Sequence, residues 1–344
     1  MIDSVPDRSG FLPGRVVQLH VTTRCNLTCA HCYSSSSPHE NRALDVRTTV
    51  AALRTLFREG FERVSVSGGE PFLYPRLDEL VTAVSGMGMH VSIVSNGTRF
   101  KPTQLERLAG RIDAVAVSFD GMPPNHDRVR ARPGAFAKAE AGIGLLREHR
   151  IPHGVIACIT RESLADVPDL YEFAKRSGAR LFQVRPLVAA GRGRSLSGIE
   201  LDAAELDRLV VMTRLLQEAD PAFPVQCDLA PTRGLLEQVE SNHAPLLGDG
   251  SASRLSDVVN PWVIDERGRS QAFVYGGGVE LGLPGIAELA RGRTALSEGS
   301  VRGLRDLVGR TVDCLRRRES RFSDWYGLLS WHAGRVEHGL RWMG

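Results

Sequence analysis

Short apolar runs alternate with amphipathic runs from Arg15 to about Leu187. The apolar runs are rich in Val, Ile and Phe, and they predict buried parallel strands at Val16–Val21, Val64–Ser67, His90–Ser95, Ala114–Phe119, Gly154–Thr160 and Leu181–Leu187. The runs between them predict helices at Val46–Glu59, Leu77–Gly86, Thr103–Leu108, Ala135–His149 and Val167–Ser177. Six strand–helix units in a row predict an α/β domain built on a parallel sheet.

The number of units separates two architectures. A closed barrel of eight units usually needs about 250 residues. The six units here are too few for that barrel, so they favour an open, partial barrel or a doubly wound sheet.

The pattern changes after Pro186, where we expect a smaller α+β unit to follow a barrel of residues 1–200. Ala189–Ser197 is rich in Gly, Arg and Ser and predicts a linker or an active-site loop. Further along, the pattern predicts a helix at Ala203–Ala219, an irregular connection at Asn242–Ser256, a β-hairpin of Trp262–Ile264 with Ala272–Tyr275, and a final amphipathic helix carrying Trp325, Leu328, Leu329, Val336 and Leu340.

Composition and charge narrow the class of protein. Apolar residues are 42% and charged residues 24%, as in an ordinary globular chain. The net charge of +3 predicts no strong attraction to nucleic acid or to a membrane surface. Because the chain has neither a run of about 18 apolar residues nor the apolar segment of a secretory signal, we expect a cytoplasmic protein.

Three of the six cysteines are clustered. Cys25, Cys29 and Cys32 have the spacing C-x3-C-x2-C on a loop that follows the first strand. Three thiolates on one short loop can hold three corners of an iron–sulfur cube and leave the fourth iron open to a ligand. The alternative is a zinc site completed by His31, His20 or His39.

The second predicted strand ends in Ser67-Gly68-Gly69-Glu70-Pro71. Two glycines let a backbone approach a ligand closely, and Glu70 stands at the carboxyl end of a strand, where ligand sites of α/β folds gather. A carboxylate at that place suits a bound ammonium group. The alternative is a simple strand-to-helix turn with Pro71 at the start of a helix.

The next two strands end in a similar way. Strand three is followed by Asn96 and Gly97, and strand four ends in Ser118-Phe119-Asp120-Gly121. Strand alternation places Val115, Val117 and Phe119 on the face toward the helices and leaves Ser118 toward the barrel interior. Four successive strands thus deliver polar or metal-binding groups to one rim of the sheet.

Taken together, these motifs resemble the radical S-adenosylmethionine (radical SAM) superfamily. The three-cysteine motif followed by Tyr33, the Gly68–Pro71 motif, Ser95-Asn96-Gly97 and Ser118-Phe119-Asp120-Gly121 occur in the order typical of that family. The resemblance covers roughly residues 15–200. It implies a partial (β/α)6 TIM-like barrel and makes the zinc alternative much weaker.

The resemblance also implies a cofactor arrangement. Cys25, Cys29 and Cys32 would ligate one 4Fe–4S cluster, whose open iron would bind S-adenosylmethionine. Reductive cleavage would then give a 5′-deoxyadenosyl radical that abstracts hydrogen from an organic substrate, with a flavodoxin- or ferredoxin-type protein as reductant. The implied contacts to S-adenosylmethionine are Gly68, Gly69 and Glu70 at the amine, Asn96 and Ser118 near the ribose, Tyr33 near the adenine and Arg130 at the carboxylate.

The second part of the chain departs from the subgroup that it resembles. The hairpin near residues 262–275 is similar to a SPASM or twitch extension, in which a cysteine usually follows the hairpin glycine. Here Phe273 takes that place, and only Cys227 and Cys314 lie in the C-terminal region. Two thiolates do not make the usual four-ligand cluster. We therefore expect a degenerate extension over residues 201–344 with no second cluster, and an overall non-oxidative reaction.

The substrate follows least directly from the sequence. About 15 residues precede the first strand, which leaves no room there for a leader-peptide-binding domain and favours a small-molecule substrate such as a sugar, a nucleoside or another biosynthetic intermediate. The alternative is radical epimerisation or cross-linking of a ribosomally made peptide. A more remote alternative is a non-catalytic iron–sulfur or zinc protein.

A thiol can return a hydrogen atom to a substrate radical. Cys158 lies on the fifth predicted strand, on the same face as Ile156 and Thr160. Because Thr160 ends that strand at the rim, we expect Cys158 to face the barrel interior and to be a candidate hydrogen donor. The alternative is a buried cysteine that only fills space in the core.

Overall fold

The computed structural model describes residues 14–196, 198–242, 254–272, 281–318 and 320–333. Six parallel strands form the centre of its main sheet: β1 (Val16–Thr22), β2 (Arg63–Gly68), β3 (His90–Ser95), β4 (Ala114–Ser118), β5 (His153–Ile159) and β6 (Phe182–Pro186). Neighbours in the chain are neighbours in the sheet from β1 to β6. This order confirms the predicted succession of strand–helix units and the partial barrel.

Helices connect the strands on the outer side of the sheet: α1 (Val46–Arg58), α2 (Leu77–Gly86), α3 (Pro102–Leu108), α4 (Pro123–Val129), α5 (Ala135–Glu148) and α6 (Val167–Ser177). α1 begins where the Asp45 side chain accepts a hydrogen bond from the backbone N–H of Thr48, an N-cap that its sequence favours. Its Leu53 and Leu56 are completely buried. α4 is the one α-helix of this part that the apolar pattern did not predict, because Val129 is its one apolar residue besides two prolines.

The two faces of the sheet differ in chemistry. Val17, Leu19 and Val21 of β1 and Val115 and Val117 of β4 are fully buried beneath the helices. Ser118 is half-buried and lies on the inner face, as strand alternation predicts. The inner face therefore carries the small and polar side chains from which the site described below is built.

Three strands from the second part of the chain extend this sheet. β7 (Val225–Cys227) pairs with β6 in parallel, β9 (Trp262–Ile264) pairs with β1 in parallel, and β10 (Ser270–Gln271) pairs with β9 antiparallel. The resulting strand order is β10-β9-β1-β2-β3-β4-β5-β6-β7. Segments beyond residue 200 thus cover both edges of the six-stranded barrel, while the boundary at residue 200 stays a prediction.

The second strand of the hairpin begins earlier than the sequence predicts. Its second strand starts at Ser270 rather than at Ala272. The Asp265 carboxylate accepts hydrogen bonds from the backbone N–H groups of Arg267 and Arg269, and Gly268 has φ +77°, so the turn closes by Arg269. Residues 273–275 of the predicted strand lie outside the described residues.

The remaining elements pack in different places: the helix Ala203–Ala219 lies against β7, and the helix Ile286–Ala290 lies against α1. They are α7 (Ala203–Ala219), β8 (Ala230–Pro231), α8 (Thr232–Asn242), α9 (Ile286–Ala290), α10 (Glu298–Arg317), β11 (Phe322–Ser323) and α11 (Trp325–His332), with β8 and β11 paired antiparallel. α7 confirms the predicted helix. The predicted helix at the end of the chain is described only as far as residue 333, so Val336 and Leu340 lie outside the described residues.

Among the described residues, we find no helix with the length and apolar character needed to cross a membrane.

Candidate active site

A cavity opens at the carboxyl ends of the strands. Ten of the eleven site residues predicted from the sequence line it: Cys25, Cys29, Cys32, Tyr33, Gly68, Gly69, Asn96, Ser118, Arg130 and Cys158. They come from β1 to β5 and from the connections that follow these strands. The eleventh, Glu70, lies directly behind the wall of the cavity.

The cysteine loop, residues 23–37, leaves the end of β1. Cys25 and Cys29 are buried at 8% and 7% exposure, Cys32 packs against them, and all three are free thiols. Burial raises the pKa of Cys25 to about 12 and also raises that of Cys29. The loop is held by backbone hydrogen bonds from Cys25 to Ser37 and from Ala30 to Val129 of α4.

This donor set suits an iron–sulfur cluster better than a single zinc ion. Within the parts of the chain that the structure describes, no three His, Cys, Asp or Glu side chains converge on one metal-ion position. Two of the three candidate zinc histidines are engaged elsewhere, since His31 Nε2 lies 3.2 Å from Asp120 Oδ2 and His20 Nε2 lies 3.1 Å from Tyr33 Oη. Three thiols spread along one cavity wall can each meet a different iron of a cube.

One buried polar atom at the cavity lacks a partner. His31 lines the cavity, and its Nδ1 is buried without a hydrogen-bond partner. Such an atom is costly unless a ligand or water pairs with it. The cysteine motif marks His31 only as a possible zinc ligand and does not reveal its position beside the cavity.

The Gly68-Gly69 pair brings β2 against the cysteine loop. Gly68 has φ +117°, and a Cβ at Gly69 would lie 2.2 Å from the carbonyl oxygen of Arg24. The Gly69 N–H donates to the carbonyl of Thr22 at 2.6 Å. The glycines thus permit a close approach between two pieces of backbone, and both also line the cavity.

Glu70 is completely buried. Its Oε1 accepts hydrogen bonds from Ser95 Oγ at 2.8 Å and from the backbone N–H of Phe72 at 3.2 Å, and its Oε2 accepts one from the N–H of Asn96 at 2.9 Å. Burial raises the pKa of Glu70, although these hydrogen bonds oppose the shift. The carboxylate joins the ends of β2 and β3, and a contact with an ammonium group stays a prediction.

Asn96 connects β3 to the cysteine loop. Its Oδ1 accepts hydrogen bonds from the N–H and the hydroxyl of Thr98 at 2.9 and 2.7 Å. Its Nδ2 donates to Asn26 Oδ1 at 3.1 Å and lies 3.8 Å from Cys25 Sγ. The amide is thereby fixed at the cavity wall, next to a cluster cysteine.

Asp120 is the centre of a buried ionic network that the sequence analysis did not single out. Arg130 Nε lies 2.7 Å and His31 Nε2 3.2 Å from its Oδ2, while its Oδ1 accepts the backbone N–H of Cys158 at 3.1 Å. Burial alone would raise the pKa of Asp120, but the charges of Arg130 and His31 outweigh it and hold that pKa far below its usual range.

Arg130 is distinguished from the arginines beside it in the sequence. Arg128 and Arg132 are exposed, and Arg128 pairs with Glu162 at 2.7 Å. Arg130 is buried, lines the cavity, and places Nη1 3.9 Å from Cys29 Sγ. Of these three, the structure places only Arg130 at the site, and its contact with a cofactor carboxylate stays a prediction.

Tyr33 lies on the β1 side of the cavity. Its ring is 5.5 Å from that of His20, and the two are joined by the hydrogen bond between Tyr33 Oη and His20 Nε2. Burial raises the pKa of Tyr33 to about 12 and lowers that of His20 to about 4. Both side chains are therefore neutral near pH 7, and Tyr33 stays predicted as the neighbour of the adenine.

Cys158 faces the cavity, as its position on β5 predicts. It stands opposite Arg185 of β6, which also lines the cavity and pairs with Asp228 at 3.2 Å. Burial raises the pKa of Cys158 to about 12, so the group is a neutral thiol. A neutral thiol is the form that could donate a hydrogen atom.

Comparison with known proteins relates this part of the chain to a family. Residues 19–174 match the family model described as the Radical SAM superfamily. This part of the chain is therefore similar to the radical SAM family, whose members use a 4Fe–4S cluster and S-adenosylmethionine. The matched range contains every residue predicted for the site.

Two curated relatives are similar over this part of the chain. The sporulation killing factor maturation protein SkfB of Bacillus subtilis (strain 168) is 29% identical over 191 residues, which cover 55% of this chain and 46% of SkfB. The AdoMet-dependent heme synthase of Methanosarcina barkeri (strain Fusaro / DSM 804) is 30% identical over 200 residues, which cover 57% and 56%. The chain thus matches about half the length of these relatives.

A solved structure shows the same fold over more of the chain. Streptococcus suis SuiB bound to S-adenosylmethionine superposes with a TM-score of 0.67 at 17% identity, covering 86% of this chain and 68% of SuiB. SuiB has also been solved bound to the precursor peptide SuiA. This likeness confirms the partial-barrel fold.

Proposed function

We propose that the chain, whose residues 19–174 are similar to the radical SAM family, is an enzyme that binds one 4Fe–4S cluster and S-adenosylmethionine and abstracts hydrogen from an organic substrate. The observation that carries this proposal is the convergence of Cys25, Cys29 and Cys32 with residues from the ends of β2 to β5 on one cavity. Parallel strands end at one edge of any such sheet, but here thiols, glycines and polar side chains from successive strand ends all face one cavity, which is where ligand sites of α/β folds lie.

The three cysteines would ligate the cluster and leave one iron for S-adenosylmethionine. When bound, this pair of cofactors supplies a 5′-deoxyadenosyl radical, and the protein supplies binding and orientation. Gly68 and Gly69 would meet the amine, Asn96 and Ser118 the ribose, and Tyr33 the adenine. Glu70 supports this wall from behind by holding the backbone of Asn96.

Arg130 has two contacts that support a role at the cofactor. Asp120 fixes its guanidinium from one side at 2.7 Å, and Cys29 Sγ lies 3.9 Å from its Nη1. The positive charge is thus held rigidly beside a cluster cysteine, in a place where it could also attract the carboxylate of S-adenosylmethionine.

We further propose one cluster and an overall non-oxidative reaction. Only Cys227 and Cys314 lie beyond residue 200, and both pack against the hydrophobic core. Without a second cluster to accept an electron, a substrate radical would rearrange, eliminate, lose carboxylate, take a hydrogen atom from a thiol, or reclaim one from 5′-deoxyadenosine. Cys158, a neutral thiol facing the cavity, is the candidate donor. The thiyl radical left on Cys158 would then take one electron from the flavodoxin- or ferredoxin-type reductant and one proton.

The substrate proposed first is a small molecule, such as a sugar, a nucleoside or another biosynthetic intermediate. The alternative is a ribosomally made peptide, and the fold match to SuiB, solved with a precursor peptide, favours it as the second candidate. The AdoMet-dependent heme synthase among the relatives supports the small-molecule substrate as the first candidate. The electron would come from a flavodoxin- or ferredoxin-type protein.

The test is anaerobic reconstitution with iron and sulfide, reduction with dithionite, and mass spectrometry for 5′-deoxyadenosine. We expect the wild-type chain to form it from S-adenosylmethionine, and the variant with Cys25, Cys29 and Cys32 all replaced by Ala to form none. Loaded, reduced wild-type protein that forms no 5′-deoxyadenosine would exclude the proposed enzyme and leave a non-catalytic iron–sulfur protein. Pools of small molecules and of precursor peptides, added separately, then distinguish the two substrate classes by which pool accelerates the reaction.

A further inference from the structure

One segment outside the radical SAM match lies directly against the cysteine loop. Residues 187–196, called here the β6–α7 loop, follow β6 and include a short 3-10 turn at Gly191–Ser195. Val188, Ala189 and Ala190 are buried. The loop closes one side of the cavity through Leu187, Val188 and Arg192. The sequence analysis left this stretch open as a linker or an active-site loop.

Arg192 makes three hydrogen bonds to backbone carbonyls of the cysteine loop. Its Nε donates to the carbonyl of Cys29 at 3.0 Å, its Nη2 to that of Ser36 at 2.8 Å, and its backbone N–H to that of Cys32 at 3.0 Å. Two of these carbonyls belong to proposed cluster ligands. One side chain thus spans the part of the loop that carries Cys29 and Cys32.

Gly191 allows this approach. It has φ +55°, and a Cβ there would lie 2.2 Å from the carbonyl oxygen of Tyr33 and 2.5 Å from that of Cys32. Both neighbours are backbone atoms, which cannot rotate away as the end of a side chain can. The two loops are therefore in contact at a distance that only glycine permits.

Both ends of the β6–α7 loop are anchored to the barrel. The Leu187 N–H donates to the carbonyl of Ile159 at the end of β5. Beyond the loop, Arg161 fixes the segment that leads into α7. Its backbone N–H donates to the carbonyl of Ile199, and its guanidinium pairs with Glu205 of α7 at 2.9 Å. Arg192 thus lies on a loop whose two ends are held by contacts outside the cysteine loop.

We propose that Arg192 is a positioning residue that holds the Cys29–Ser36 segment in the conformation that binds the cluster. This inference rests on the proposed iron–sulfur site. Hydrogen bonds from a charged donor are stronger than neutral ones, and the planar guanidinium can reach two carbonyls at once, which an ammonium cannot do with fixed geometry. Its positive charge also stands beside a site that gains negative charge on reduction, so it favours the reduced cluster.

The experiment compares Arg192→Gln, Arg192→Lys and Arg194→Gln with the wild type after anaerobic reconstitution. Arg194 is the matched control, because it is an exposed arginine on the same turn. The readouts are iron per chain after gel filtration, the electron paramagnetic resonance spectrum of the reduced cluster, and its midpoint potential. Circular dichroism and thermal unfolding of the unloaded chains show whether each variant folds.

We expect Arg192→Gln to fold but to lose most of its iron, with an altered spectrum and a more negative midpoint potential for the cluster that remains. Arg192→Lys keeps the positive charge but lacks the planar guanidinium that reaches two carbonyls. It should therefore retain more iron than Arg192→Gln and less than the wild type. Arg194→Gln should match the wild type in all three readouts. If Arg192→Gln fails to fold, Arg192→Lys decides by the same comparison.

Two results would overturn the inference: an Arg192→Gln protein with wild-type iron, spectrum and potential, or an Arg194→Gln protein damaged to the same extent. Failure of the proposed function looks different. In that case the wild-type chain itself takes up no cluster, or takes one up and forms no 5′-deoxyadenosine.

Discussion

The carboxylate of Glu70 accepts a hydrogen bond from the backbone N–H of Asn96 at 2.9 Å, so a side chain just after β2 sets the position of the residue that follows β3. The same carboxylate holds the hydroxyl of Ser95 at 2.8 Å. Glu70 thus determines the shape of the cavity wall without lining the cavity.

Replacing Glu70 by Gln turns one acceptor oxygen into a donor, which then faces either the donors of Ser95 and Phe72 or the N–H of Asn96. A buried donor left unpaired costs about 1–3 kcal/mol, so we expect the free energy of unfolding to fall by that amount. We also expect the affinity for S-adenosylmethionine to fall about tenfold, with iron content unchanged. Thermal unfolding and calorimetry measure these effects, and Glu62→Gln, at an exposed position, is the control. Unchanged stability and affinity would show that this wall does not depend on the carboxylate.

The reconstituted chain should hold about four irons, all at Cys25, Cys29 and Cys32. The variant with these three cysteines replaced by Ala should hold none, and the double variant Cys227→Ala, Cys314→Ala should hold as many as the wild type. Iron analysis and absorption spectra give the answer. Iron that survives in the triple variant would mean that the second part of the chain carries a cluster of its own.

Cys158→Ala tests the hydrogen donor. We expect this variant to form 5′-deoxyadenosine with the substrate and yet to give little final product, because the substrate radical then lacks a hydrogen source. Cys227→Ala, a cysteine of β7, should leave the ratio of product to 5′-deoxyadenosine unchanged. Product formation by Cys158→Ala at the wild-type rate would reduce this cysteine to a packing role.

Asp120→Asn should be strongly destabilising. It leaves the buried Arg130 without its ionic partner, and breaking one side of a buried pair costs about 3–5 kcal/mol. The exposed pair of Arg128 with Glu162 is the matched comparison, and Glu162→Gln should cost no more than about 1 kcal/mol. Urea unfolding of both variants measures the difference. Equal effects would contradict the network described around Asp120.

Three buried histidines predict an acid dependence of stability. Burial lowers the pKa of His20, His126 and His153 from 6.5 to about 4. Between these two values the unfolded chain binds protons that the folded chain excludes, so the free energy of unfolding should fall as the pH drops from 6.5 toward 4. Each histidine contributes at most about 1.4 kcal/mol per pH unit in that window.

Urea titrations at several pH values measure that slope. His153→Gln should reduce the slope of the free energy of unfolding against pH, because the variant lacks the buried imidazole that excludes a proton. Replacing the exposed His39 should leave this slope unchanged. A slope that does not respond to His153→Gln would assign the acid sensitivity to other groups.

The sequence predicted the parts of the site that depend on local pattern. Buried runs of Val and Ile located β1 to β6, and polar residues at their ends predicted a common rim because parallel strands end at the same edge. Cys158 faces the cavity as strand alternation predicts.

Contacts between distant parts of the chain could not be predicted in this way. The contact of Asp120 with His31 joins positions that share no periodicity, and the hydrogen bonds of Arg192 to Cys29 and Ser36 come from a stretch whose composition is also typical of a linker. β7 was missed because three residues carry no detectable alternation. The hydrogen bonds of Glu70 to Ser95 and Asn96 could not be predicted from its motif, and its contact with a bound ammonium group stays a prediction.

The pairing of β9 with β1 joins two segments that are synthesised at very different times. β1 leaves the ribosome at Thr22, well before the partner for its outer edge, which ends at Ile264. At 5–20 residues per second, that edge stays uncovered for roughly 10–50 s. An uncovered strand edge can pair with other chains, so the nascent protein passes through a period in which chaperones protect it or aggregation removes it. The yield of folded protein in a cell should therefore respond to translation speed and chaperone supply, even where the finished protein is stable.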